Sequence, residues 1–347
     1  LFNRLVFVFV DWLIMKKYWF ITGTVIVVVI IALLLFKLPF GVVTNYSIPK
    51  NKGAWGITYS KKFATSLNLD WQQTYTAILD DLGTKKIRLP LYWDDIEAQQ
   101  AVYNFSDYDW MINEGNKKKV EFIIVIGRRV PRWPECHTPN WVGARDDLET
   151  RRALLKYLKT TVERYQNNSN IIAWQVENEP LLDSFGVCPQ SDYAFLRQEV
   201  ELVKSLDTRP IMLTASGELS DWRRETTLGD WFGTTVYRTV WSPTLGYIRY
   251  PWPSQLYIAK AASVRLKPEQ RILAELQAEP WAPNSSLNKL PKSEATKSFN
   301  LDNFKSNILY AEATEFNRIY LWGVEWWYMQ KEQGDASYWD MAKQLPW

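Results

Sequence analysis

From about residue 45 onward, short apolar runs alternate with longer segments in which apolar residues recur every three to four positions. Runs at 56–59, 86–89, 121–126, 171–177, 210–215, 232–237, 271–276 and 319–322 read as strands buried on both faces, because they are nearly continuous in apolar character. The segments between them have helical spacing: Leu154, Leu155, Leu158, Val162 and Tyr165, then Leu196, Val200 and Val203, then Phe304, Ile308 and Ala311. Asp70 and Gln73 open one such segment through Trp71, Tyr75, Ile78, Leu79 and Leu82, and Gly83 stops it, as expected of a capped helix. Eight strand–helix units in series predict an α/β fold of the closed (β/α)8 TIM-barrel type over residues 52–347. An open doubly wound sheet is the alternative, but no glycine-rich phosphate turn follows the first strand.

Ahead of the barrel the pattern changes. Residues 18–36 carry no charge and at 1.5 Å per residue are about long enough to cross a bilayer core, so 18–38 reads as a transmembrane anchor or a signal sequence. Lys16 and Lys17 precede this stretch and only Lys37 follows it, which places residues 1–17 in the cytoplasm and the barrel outside. No small-residue cleavage pattern appears between Phe36 and Val43, favouring an uncleaved anchor over a secreted form. Residues 39–51 then form a linker. Met15 is a credible start site, which would make 1–14 an over-extended reading frame.

Charge and composition remove several classes of function. The formal charge of +3 is spread along the chain, with no basic stripe for nucleic acid. His137 is the only histidine, so a histidine-rich zinc site is impossible and a Ser-His-Asp triad would depend on that one residue. No Walker, GxGxxG or G-x-S-x-G pattern occurs, and no metal or organic cofactor is expected. His137, in a loop, reads as a pocket-lining residue. Cys136 and Cys188 follow consecutive strands, so they would lie on adjacent loops of one barrel face and are expected to pair.

Carboxylates remain. Barrel enzymes carry their chemistry at the carboxyl ends of the strands, and Glu179, in Asn178-Glu179-Pro180, stands just past the fourth. Glu275 and Glu279 close the seventh. Two such carboxyls about 5–5.5 Å apart suit a double displacement in which one protonates the leaving oxygen and the other attacks the anomeric carbon. Alternation along an extended chain would put Glu275 and Glu279 on the same side, so either could be the attacking group. The chain also has 19 tryptophans, among them Trp93, Trp133, Trp231, Trp241, Trp281, Trp322, Trp326 and Trp327 at or after predicted strands. Indoles stack on the apolar faces of sugars, although half of these are expected to serve packing alone.

These residues resemble the retaining (β/α)8 glycoside hydrolase clan that includes cellulases, β-mannanases, β-galactosidases and β-xylosidases. The resemblance implies Glu179 as acid/base, Asn178 as the ligand of the sugar 2-hydroxyl, and Glu275, followed by Leu276-Gln277, as nucleophile. It further implies that Arg88 and Tyr237 contact the nucleophile and that Trp322 or Trp326 floors the cleaved-sugar subsite, leaving Glu279 as a rival or a substrate contact. The expected activity is hydrolysis of O-glycosidic bonds in an extracellular poly- or oligosaccharide. A cell-surface transglycosylase and a catalytically inactive carbohydrate-binding barrel are the alternatives. The sugar, endo or exo action and the oligomeric state are open at this point.

Overall fold

A computed structural model describes residues 54–143, 145–283 and 286–347. Its strands are β1 (Trp55–Thr58), β2 (Lys86–Pro90), β3 (Glu121–Ile126), β4 (Ile171–Val176), β5 (Ile211–Ala215), β6 (Trp231–Val236), β7 (Thr239–Ser242), β8 (Gly246–Arg249), β9 (Arg271–Gln277) and β10 (Arg318–Trp322). Eight of them close a parallel barrel in the ring order β1-β10-β9-β6-β5-β4-β3-β2, and all eight expected runs take part. The expected segments 1–17, 18–38 and 39–51 lie outside the described residues. Among the described residues no helix is long and apolar enough to cross a membrane. The antiparallel hairpin β7–β8, inserted between β6 and β9, was not anticipated.

Burial on both sides explains the strand composition. A lumen cluster of Ile123, Ala173, Met212, Ile272, Ala274 and Tyr320 fills the barrel, while alternate residues such as Ile124, Trp174, Leu213 and Leu273 pack outward in the main core. The lumen is therefore packed rather than open, and chemistry is confined to its mouth. The helix Leu148–Tyr165 is capped by Asp147, which accepts from the Thr150 N–H at 2.8 Å, and it buries Leu154, Leu158 and Val162 at four-residue spacing. Asp70 caps the helix Trp71–Ala77 through the N–H groups of Gln72 and Gln73, and the chain then runs through one π-helical turn to Gly83, whose φ of 78° ends it.

One irregularity in β9 positions the site. Along the β6–β9 ladder Thr234 pairs with Leu273 but Thr235 pairs with Glu275, so Ala274 is the extra residue of a β-bulge. The β10 ladder shifts at the same place, from Ile319↔Leu273 to Leu321↔Leu276. Strict alternation would put Glu275 on the face of Leu273, towards the helices. The bulge instead keeps it in phase with Thr235 at the mouth.

Candidate active site

The chain leaves β4 through a backbone that turns sharply twice. Glu177 and Glu179 both have left-handed φ values, 59° and 44°, a conformation costing about 1–3 kcal/mol at each non-glycine residue. Hydrogen bonds hold it in place. The Glu177 carboxylate accepts from the Arg128 and Arg129 N–H groups at 2.6 Å each, Asn178 N–H donates to the Arg129 carbonyl at 2.6 Å, and Glu179 N–H donates to Thr214 Oγ1 at 2.8 Å. Gly127, at φ 142°, is required beside this turn because a Cβ there would lie 2.3 Å from Glu177 Oε1.

Glu275 is held at both oxygens. Arg88 Nη1 donates to Oε1 at 2.9 Å and the Tyr237 hydroxyl donates to Oε2 at 2.9 Å. Arg88 is fully buried and uses its other nitrogens to align the site, donating from Nη2 to Asn178 Oδ1 at 2.7 Å and from Nε to Gln175 Oε1 at 2.7 Å. Burial, then the Glu275 and Glu279 charges, push the Tyr237 phenol well up, so it remains a donor. Glu218, which the sequence reading did not single out, steadies Tyr237 by accepting from its N–H at 2.9 Å and from the Tyr257 hydroxyl at 2.7 Å.

Glu179 has the opposite surroundings. Its Oε1 is buried and has no hydrogen-bond partner. Burial first, then the negative charges of Glu275 and Glu135, push its carboxyl well above the ordinary range, with Arg129 opposing. Its proton is therefore held more tightly than that of an ordinary carboxyl, whereas Glu275 is supplied with hydrogen-bond donors. Glu135, also missed from sequence, is a third buried acid here: its Oε2 accepts from Asn178 Nδ2 at 3.1 Å and lies 4.0 Å from Arg129 Nε. Burial and the Glu275 charge raise it to about 7, against Arg129.

The remaining candidates divide between the mouth and the core. Glu279 belongs to a separate ion cluster, paired with the buried Arg132 and raised to about 7 by burial despite that partner. Arg132 also donates to Glu325 Oε2 at 2.8 Å. Glu279 does not share in the contacts that hold Glu275 among the described residues. Trp322 ends β10 at the mouth, where the Arg132 guanidinium lies 4.1 Å from its ring centre. Trp326 is not a second candidate floor: the helix Val324–Glu332 turns its ring into the core against Phe299 and Tyr338. Trp93 and Trp327 are likewise fully buried, and Trp231 opens β6 at the far end of the barrel, under Arg318. His137 is a loop buttress rather than a pocket wall, with its Nε2 3.0 Å from the Arg132 carbonyl oxygen and its ring 4.4 Å from that of Tyr92.

Cys136 and Cys188 form a disulfide that ties the loop after β3 to the loop after β4. Arg129 reinforces the tie by donating to the Leu182 and Phe185 carbonyls at 2.7 and 2.9 Å. From Tyr237 a line of aromatic contacts runs outward: Trp281 at 5.5 Å, Phe185 at 6.0 Å from Trp281, and Trp133 at 5.9 Å from Phe185. Trp133 is 64% exposed.

Known proteins resemble this chain in part of its sequence and in its fold. The family model for cellulase (glycosyl hydrolase family 5) matches residues 47–208, which include Arg88, Asn178 and Glu179. A β-galactosidase, BgaA of Clostridium cellulovorans, is 24% identical over 171 residues, 43% of this chain and 26% of the relative, so the match spans about a quarter of that protein's length. Among solved structures, a GH5_18 protein from Bifidobacterium longum subsp. longum aligns with a TM-score of 0.56 at 11% identity, over 77% of this chain and 69% of its own. Xylanase 10B from Thermotoga petrophila aligns with a TM-score of 0.52 at 14% identity, over 82% of this chain and 87% of its own. At these identities the structural likeness concerns the fold. In its fold and in the residues at its strand ends, the barrel resembles the (β/α)8 clan of cellulases and β-galactosidases.

Proposed function

We propose that the barrel hydrolyses β-glycosidic bonds of an oligo- or polysaccharide by double displacement, with Glu179 as acid/base and Glu275 as nucleophile. The observation that carries this reading is the unequal treatment of the two carboxyls. Glu275 accepts from Arg88 and Tyr237, whereas Glu179 is buried with a bare oxygen. A Glu275 oxygen attacks the anomeric carbon while Glu179 gives its proton to the departing glycosidic oxygen. Glu179, now a carboxylate, takes a proton from water, whose oxygen displaces Glu275 and completes hydrolysis. Asn178, fixed by Arg88 and Glu135, offers a side-chain amide beside the reacting carbon.

Trapping with a 2-fluoroglycoside, followed by peptide mapping, tests the assignment. The label is expected on Glu275; a label on Glu279 would refute it. The reading also places the barrel outside the cytoplasmic membrane on an anchor at residues 18–38. The charge-free stretch with lysines before it supports this, and the Cys136–Cys188 pair suits an oxidising compartment. Protease treatment of intact cells is expected to digest the barrel, and protection until lysis would sink the proposed topology.

A further inference from the structure

The mouth is asymmetric in a way that bears on which bonds can reach the two carboxyls. On the β1/β10 side it is closed by Arg132, whose guanidinium carbon lies 3.6 Å from the Phe63 ring centre and 4.1 Å from that of Trp322. The same group is ion-paired to Glu279 after β9 and to Glu325 after β10. Glu325 in turn accepts from the Ser60 N–H after β1 at 2.6 Å. One side chain from the β3 loop thus fastens the loops of three other strands, and Arg132, Glu279 and Glu325 are all buried. Arg132 holds a left-handed backbone, φ 87°, to reach this position. A buried ion cluster resists opening, because removing one partner leaves the others charged without compensation.

The β4 side is built differently. Phe185 and Trp133 stand on the two disulfide-tied loops, and the aromatic line leads from the catalytic centre to the exposed Trp133. The leaving group must be on this side, since Glu179 protonates its oxygen. The sugar under attack then lies over Glu275 towards Trp322, and further sugars attached to its own hydroxyls would run into Arg132.

We propose that the site is a blind pocket for the non-reducing terminal sugar, so that the barrel trims β-linked chains from that end. This rests on the glycosidase reading given above and deepens it. Digestion of pentasaccharides of β-linked mannan, glucan, galactan and xylan, reduced at their reducing ends, provides the test with the full chain. The first products expected are a monosaccharide and a reduced tetrasaccharide. Internal fragments as first products overturn the pocket while leaving the glycosidase reading intact.

A binding measurement separates the two ideas if turnover is absent. A mannan, glucan or galactan pentasaccharide capped on its non-reducing sugar with a 4,6-O-benzylidene group is expected to bind at least about tenfold more weakly than the uncapped parent, because the cap has nowhere to go. Equal affinity of capped and uncapped ligands overturns the pocket. Discrimination without turnover upholds the pocket and overturns catalysis, and no binding by either ligand overturns both. Arg132→Ala is expected to admit the capped ligand. If that variant does not fold, Phe63→Ala, which removes one wall and leaves the ion cluster, is expected to narrow the tenfold difference.

Discussion

The ends of β4 and β9 present the same residue type in opposite conditions. Three places apart in the ring, each offers one glutamate to the mouth, yet Glu275 is gripped by an arginine and a tyrosine while Glu179 has an oxygen with no partner at all. The backbones differ as well: a bulge turns Glu275 inward from a strand, whereas Glu179 sits on a left-handed turn. Under the proposed mechanism, what distinguishes the nucleophile from the acid is the supply of donors, and that supply comes from other strands. Arg88 on β2 and Tyr237 after β6 serve one carboxyl, while Glu135 in the β3 loop acts on the other through its charge.

The contrast can be broken most directly at Glu275. Glu275→Ala is expected to lower kcat by about 10^4-fold or more, measured with aryl glycosides, as for an essential nucleophile; near-normal turnover would transfer the role to Glu279. Glu179→Gln is expected to cost about 10^2–10^4-fold on substrates with poor leaving groups and much less on activated aryl glycosides, which need no proton. An equal loss on both would mean that Glu179 is not the acid. Tyr237→Phe removes one hydrogen bond to a carboxylate, worth about 1.5–3 kcal/mol, so kcat should fall roughly ten- to hundredfold.

Smaller effects sharpen the comparison. The Glu135 charge raises Glu179, so Glu135→Gln should lower the Glu179 pKa and move the alkaline limb of kcat/KM to lower pH. A limb that stays in place or moves up would show that Glu135 does not act on the acid. Trp133→Ala is expected to raise KM for oligosaccharides only a few-fold, in keeping with the loss of about 0.5–1.5 kcal/mol of stacking, and to leave simple aryl glycosides unaffected. A matching rise for both would remove Trp133 from the leaving-group side.

The eight barrel strands were legible because parallel strands buried on both faces need unbroken apolar runs such as Phe122-Ile123-Ile124-Val125-Ile126. The hairpin β7–β8 was not, since its residues Thr239–Arg249 are mostly half-buried and carry no such run. In the site, Glu179 and Glu275 could be read from positions at strand ends, and Asn178, Arg88 and Tyr237 from the family resemblance. Glu135, Arg132 and Glu218 could not, because loop residues obey no period and their partners are distant in sequence. Cys136 was the available signal for Glu135, its neighbour: a disulfide-tied loop beside a catalytic strand has side chains worth testing. Glu275 and Glu279, four residues apart, were inseparable by alternation; the strand ends at Gln277, so only Glu275 belongs to it, and the bulge at Ala274 that aims it is invisible to a two-residue period. Trp326 looked equivalent to Trp322 until the helix that begins at Val324 rotated it away.

The Arg132 closure also has a consequence for the order of events in a catalytic cycle. A pocket sealed at its inner end has one doorway, and substrate, water and both products must share it. In the proposed mechanism the leaving portion has to vacate before water can approach the glycosylated Glu275, and the terminal sugar departs last. Such an enzyme should be inhibited competitively by the free monosaccharide, whereas the shortened chain, first to leave, competes only in so far as it is itself the next substrate.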